Sequence, residues 1–214
     1  MTDEMDVEDR VDVGVVVSEP QQQRSIRTRD DIVVIAARAF DARGYAGATM
    51  GAIIGESSLS KGAIYFHFPS KASIARYLVA GWIGVVEQEI DAAGKAGVSA
   101  IEALRSVCGN LAGRIDSDVA LRAGMKLTLD PGFGDGSAFS QWVGLTDVLV
   151  VSAVAAGEVG VTAVVGRLAW NVCAGMVGAA CACGVGGGVV ELDCIGEVVD
   201  AHIGAAVGSW DGSV

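Results

Sequence analysis

The chain has 214 residues, half of them hydrophobic, with a formal net charge of −11. That is ample apolar material for a packed core and excludes a disordered acidic chain, and acidity spread evenly would argue against a nucleic-acid partner. The charge is not even: residues 1–23 carry seven acidic side chains against one arginine, residues 24–80 eight basic against four acidic, and residues 81–214 six basic against fifteen acidic. A basic module on an acidic body is the electrostatic footprint of a DNA reader, the plain alternative being a solvated face.

In chain order, residues 1–23 show no helical period and read as a flexible arm. From Thr28, the residues Ile32, Ile35, Ala36, Ala39 and Phe40 form one apolar stripe, predicting a helix capped at Thr28 or starting near Arg24 and ended by Gly44. Thr49 caps a second, short helix with Met50, Ile53 and Ile54 inward, and Glu56-Ser57-Ser58-Leu59 breaks it. Ser60 starts a third, with Ala63 and Ile64 as core contacts and Phe66 and Phe68 also assigned to the core; Pro69-Ser70 stops it and caps the next. The fourth helix sets Ile74, Leu78, Trp82 and Ile90 along one side and closes at Gly94 and Gly97. Beyond it the periodicity predicts helices near 98–116, 118–130, 138–156, 161–183 and 190–207, so the fold class is all-α. The domain reading is an arm over 1–23, a head over 24–70 and an all-helical body over 71–214, with the fourth helix as connector.

Two short helices joined by about four residues, the second polar on its outer side, are a helix-turn-helix, whose second helix enters the major groove. The residues of SKGAIYFHFPSK suit that geometry. Ser60 caps the helix, Gly62 lets the backbone come close, Lys61 matches guanine N7 and O6, and Tyr65 and His67 reach phosphate oxygens. Thr49 and Lys71, each beside the start of a neighbouring helix, would clamp the flanking backbone. Each has a plainer use: Tyr65 as a half-buried core residue, Thr49 and Ser60 as caps, the lysines as solvated charges. The spacing of all of them together favours DNA.

The five cysteines lie in apolar surroundings, and with His67 and His202 they complete no metal set. Unpatterned thiols and an acidic start unlike a signal peptide fit a reducing cytoplasm. Residues 168–190 run without a charge for the length of a membrane span, but six glycines, an asparagine and no flanking basic cluster favour a helix buried at a subunit interface. No nucleophile elbow, phosphate-binding glycine loop or paired His-carboxylate motif is present, so neither an enzyme nor a cofactor is expected.

ATMGAIIGESSLSKGAIYFHFPSK, after a helix ending FDARGY, resembles the N-terminal head of the tetracycline-repressor (TetR) family over roughly residues 24–80. The resemblance implies that the third helix recognises double-stranded operator DNA. It also implies that the body binds a small hydrophobic effector and that the protein works as a homodimer, with helices near 161–183 and 190–207 as the interface. Ser58 departs from the family, which often has Gly in that turn. RAGMKLTLDPGF followed by Trp142 resembles the γ-butyrolactone receptor branch, in which a tryptophan of this region lines the ligand pocket. Trp142 is accordingly the candidate ligand-binding residue, with a plain core tryptophan as the alternative; an antibiotic or other hydrophobic effector is the alternative ligand.

Overall fold

The computed structural model describes residues 21–183 and 193–208, and these are helical with short connections. The head is α1 (Gln21–Gly47), α2 (Met50–Glu56) and α3 (Lys61–His67). The body is α4 (Lys71–Lys95), α5 (Ala100–Ser117), α6 (Val119–Leu127), α7 (Ser137–Ala155), a 3-10 turn at Val165–Arg167, α8 (Leu168–Cys183) and α9 (Asp193–Gly208).

The apolar stripe of α1 is buried as the periodicity predicts, with Ile32, Ala36, Ala39 and Phe40 in the core. The helix is already formed at Gln21, the first described residue, earlier than Thr28 or Arg24, and so takes in the last residues assigned to the arm. At Gly44 the backbone turns left-handed (φ 66°, ψ 179°), which breaks the helix before Tyr45. Hydroxyl caps recur at the next helix starts. Thr49 Oγ1 accepts from the Ala52 N–H at 3.1 Å, Ser60 Oγ from the Ala63 N–H at 3.2 Å, and Ser70 forms a reciprocal capping box with Ser73. The α4 helix runs through Gly94 to Lys95, and Gly97 at φ 69° supplies the left-handed residue beyond its end.

The head packs on α6 as well as on α4. Where α4 and α6 cross, Gly124 is the only size that fits, since a Cβ there would lie 2.4 Å from the Leu78 carbonyl oxygen. On the far side α5 binds α4 through Glu89, buried between Arg114 (2.7 Å) and Asn110 (2.9 Å). The start of α5 is also capped from a distance, the Glu158 carboxylate accepting from the N–H groups of Ala100 and Ile101, both at 2.9 Å. Of the helix expected over 161–183, residues 168–183 form α8, whereas 161–167 are a loop and the 3-10 turn; the uncharged stretch 168–190 lies outside the described residues from 184. By length and composition α7 and the Val165–Ala182 segment could each cross a membrane. Here α8 packs between α7 and α9 and contributes Leu168, Val172, Cys173 and Met176 to the common core.

Candidate nucleic-acid interface and head–body junction

Ile64 and Phe68 anchor α3, buried in the head core. The rest of the helix faces solvent: Lys61, Gly62 and Tyr65 are exposed, His67 is half-buried, and nothing lies within 4 Å of a Cβ built on Gly62. Phe66 corrects its core assignment. Its side chain is 81% exposed, touching the His67 ring edge-on, because the helix is pinned at Ile64 and Phe68, four residues apart, and residue 66 falls on the opposite face. Thr49 is exposed, with its hydroxyl serving as the α2 cap. The turn between α2 and α3 needs no glycine, since no non-glycine residue among those described has positive φ, Ser58 included; Ser57 Oγ accepts from the Leu59 N–H at 3.0 Å and shapes it.

Lys71 is turned inward. Its ammonium donates to the carbonyls of Tyr45 (2.7 Å) and Ala48 (2.9 Å) and lies 4.0 Å from the centre of the Tyr45 ring. The position expected of a phosphate clamp is a tie between the start of α4 and the turn entering α2. Two of three donors are spent on carbonyls left without helical partners after the break at Gly44, so the charge is drawn away from the α3 face.

The junction with the body contains the functional geometry that sequence reasoning missed. Asp41 on α1 pairs with Arg122 (3.0 Å) and Lys126 (2.8 Å) of α6, and Asp130 Oδ2, in the loop after α6, accepts from the Tyr45 N–H at 2.7 Å. The Tyr45 ring stacks on Phe40 and tilts against Phe133 at 4.9 Å. The spacing of Arg122 and Lys126, four apart on one helical face, was the signal available for a shared acidic partner; which acid it is depends on the fold.

Residues 32–78 match the model of the tetR family of bacterial regulatory proteins. That match covers the helix-turn-helix of the head and the start of α4. The A-factor receptor protein of Streptomyces griseus is 29% identical over 140 residues, 65% of this chain; the chain spans about half, 49%, of that curated relative. A crystal structure of a γ-butyrolactone receptor, described as ArpA-like, superposes with a TM-score of 0.66 at 26% identity over 73% of this chain and 83% of that one. The TetR-family protein CprB of Streptomyces coelicolor, solved with its operator sequence, shares the fold with a TM-score of 0.70 at 22% identity, covering 89% of this chain and all of that one.

In the body, Trp142 is 1% exposed. Its ring meets Trp82 edge-on at 4.9 Å and Phe139 at 5.9 Å, and Phe139 reaches Trp170 at 6.3 Å. The Trp82 indole N–H is buried with no acceptor among the described residues. Neither of the two largest cavities described is lined by Trp142. The larger, about 770 Å³, lies between α4, the loop 128–136 and the start of α7, and reaches Tyr45 of the head.

Proposed function

We propose that the chain is a homodimeric, cytoplasmic transcriptional repressor that binds double-stranded operator DNA through α3 and is released by a small hydrophobic effector. The observation that carries this reading is the outward face of α3, where Lys61, Gly62, Tyr65 and Phe66 stand exposed together on a seven-residue helix held by two buried anchors. In a major groove, Lys61 reads guanine acceptors and Phe66 meets thymine methyl groups, while Tyr65, His67 and Thr49 bond phosphates. Ser60 and Lys71 act from behind, as cap and tie.

Two such heads must present α3 about 34 to 36 Å apart, or a multiple of that, to reach successive grooves. The outer faces of α8 and α9 support the dimer: Gly178, Cys181 and Ala182 on one and Ala201, Gly204, Ala205 and Gly208 on the other are exposed and small, so two copies can bring these helices close together. The aromatic cluster supports an effector site. Trp82 and Trp142 are buried against each other in an apolar setting, and the unmatched Trp82 N–H suits a carbonyl or hydroxyl acceptor, as a γ-butyrolactone would supply. Repressors of this kind need only about 1 to 3 kcal/mol of coupling to change operator affinity 5- to 150-fold.

Selection of bound duplexes from a random pool, followed by gel-shift titration at two salt concentrations, tests the reading. A preferred palindromic site bound more weakly at high salt is the expected result; absence of binding to any duplex refutes it.

A further inference from the structure

The larger of the two cavities described above is lined by none of Trp82, Phe139, Trp142 and Trp170, and its chemistry is different. Val79, Ala80 and Ile83 of α4 face Leu127, Phe133 and Ala138 across it, an apolar trough of about 770 Å³, within the ordinary size of a small-molecule site. Three charged side chains line it. Arg76 lines the end next to the head and makes no ion pair among the described residues. Glu87 stands on the same helix about 16 Å further along, and Asp135 lines the loop side. A guanidinium at one end, apolar walls, and carboxylates elsewhere select a molecule with one negative end and a long uncharged body.

We propose that this junction cavity is a second effector site that binds amphiphilic organic anions, with the carboxylate on Arg76 and the apolar body along Val79, Ala80 and Ile83. Its place in the fold gives occupancy a route to the DNA-reading helices. Phe133 and Tyr45 both line the cavity and touch each other, and Tyr45 is held at its N–H by Asp130 and at its carbonyl by Lys71. Lys71 also holds the Ala48 carbonyl, one residue before the α2 cap at Thr49. A body wedged between α4 and the 128–136 loop bears on that knot, and through it on the α2–α3 unit. Only this regulatory consequence rests on the DNA-binding function proposed above.

The test uses the full chain, titrated calorimetrically with decanoate, decanol and decyltrimethylammonium below their micelle concentrations. Decanoate is expected to bind about tenfold more tightly than decanol, and the ammonium compound most weakly. Arg76→Gln should remove the preference for decanoate and leave decanol unchanged, and Ala80→Trp, which fills the trough from an exposed position, should block both; circular dichroism melts establish that each variant is folded. Equal affinity for decanoate and decanol, or undiminished binding to folded Ala80→Trp, overturns the proposal. A protein that binds decanoate in this pattern yet binds no duplex sinks the repressor reading alone, and one that binds its operator but not decanoate sinks the second site alone.

Discussion

Lys71 and Tyr45 hold each other across the boundary between head and body: the lysine ammonium donates to the tyrosine carbonyl at 2.7 Å and sits over its ring at 4.0 Å. With the bond to Ala48, this fixes the start of α4 against the entry to α2. Lys71→Met keeps the stem and deletes the donors, and is expected to cost about 2 kcal/mol of stability for two charge-assisted bonds, read as a lower thermal midpoint. It should weaken operator binding for all sequences alike while leaving the salt slope unchanged, because the charge is spent inside the protein.

On α3 the expected effects separate fold from recognition. Lys61→Ala is expected to weaken operator binding by about 1 to 3 kcal/mol and relax base preference, with the melting curve unchanged. Phe66→Ala and Gly62→Ala should likewise leave the fold intact, the first because its ring is 81% exposed and the second because a Cβ there meets nothing within 4 Å. Both should bind operator less well, the first by losing apolar contact with bases and the second by holding the backbone off the groove. Gel shifts beside thermal melts check all three.

Gly124 is expected to be intolerant. Its replacement by alanine drives a Cβ into the backbone of Leu78 and against the Trp82 side chain, so α4 and α6 must part. Loss of about 1 to 3 kcal/mol is expected from overpacking, whereas Gly84→Ala, on the cavity side of the same α4, meets nothing within 4 Å and should be neutral. Denaturant unfolding of the two variants measures the difference.

Trp142→Ala would empty a fully buried indole site and cost about 3 to 5 kcal/mol, obscuring any role in ligand release. Trp142→Phe retains most of the packing against Phe139 and Trp82. It is expected to fold, bind operator as the parent does and lose release by a γ-butyrolactone; unaltered release would return Trp142 to a purely core role. Operator gel shifts with and without the lactone make the measurement.

Burial pushes the thiols of Cys108 and Cys173 up to about 12. Both are neutral at physiological pH and should resist iodoacetamide in the native protein and react once it is unfolded; peptide mass mapping reads each. Their folded values lie above the ordinary thiol value of 9.0, so the unfolded chain releases these protons first as pH rises. Stability is therefore expected to be full below about pH 9 and to fall from there towards pH 12, and Cys108→Ala should flatten that fall in denaturant titrations across the range.

Local order determined much of this protein from sequence alone. Apolar period and hydroxyl caps placed α1 to α4 because both act within a few residues, and the alternation of buried Ile64 and Phe68 with exposed Lys61 and Tyr65 is set by one helical repeat. The same repeat should have turned Phe66 outward; its apolar character outweighed its position in the sequence reading. Long-range pairing was decided only by the tertiary structure. Lys71 looks like any basic residue at a helix start until the break at Gly44 brings two unpaired carbonyls to it, 26 and 23 positions earlier in the chain. Asp130 meets Tyr45 across 85 positions, Arg122 and Lys126 find Asp41, and the cavity beside them exists only because α4, α7 and a loop enclose it. Such contacts follow from how helices dock, and docking depends on the summed packing of distant faces, which no local pattern encodes.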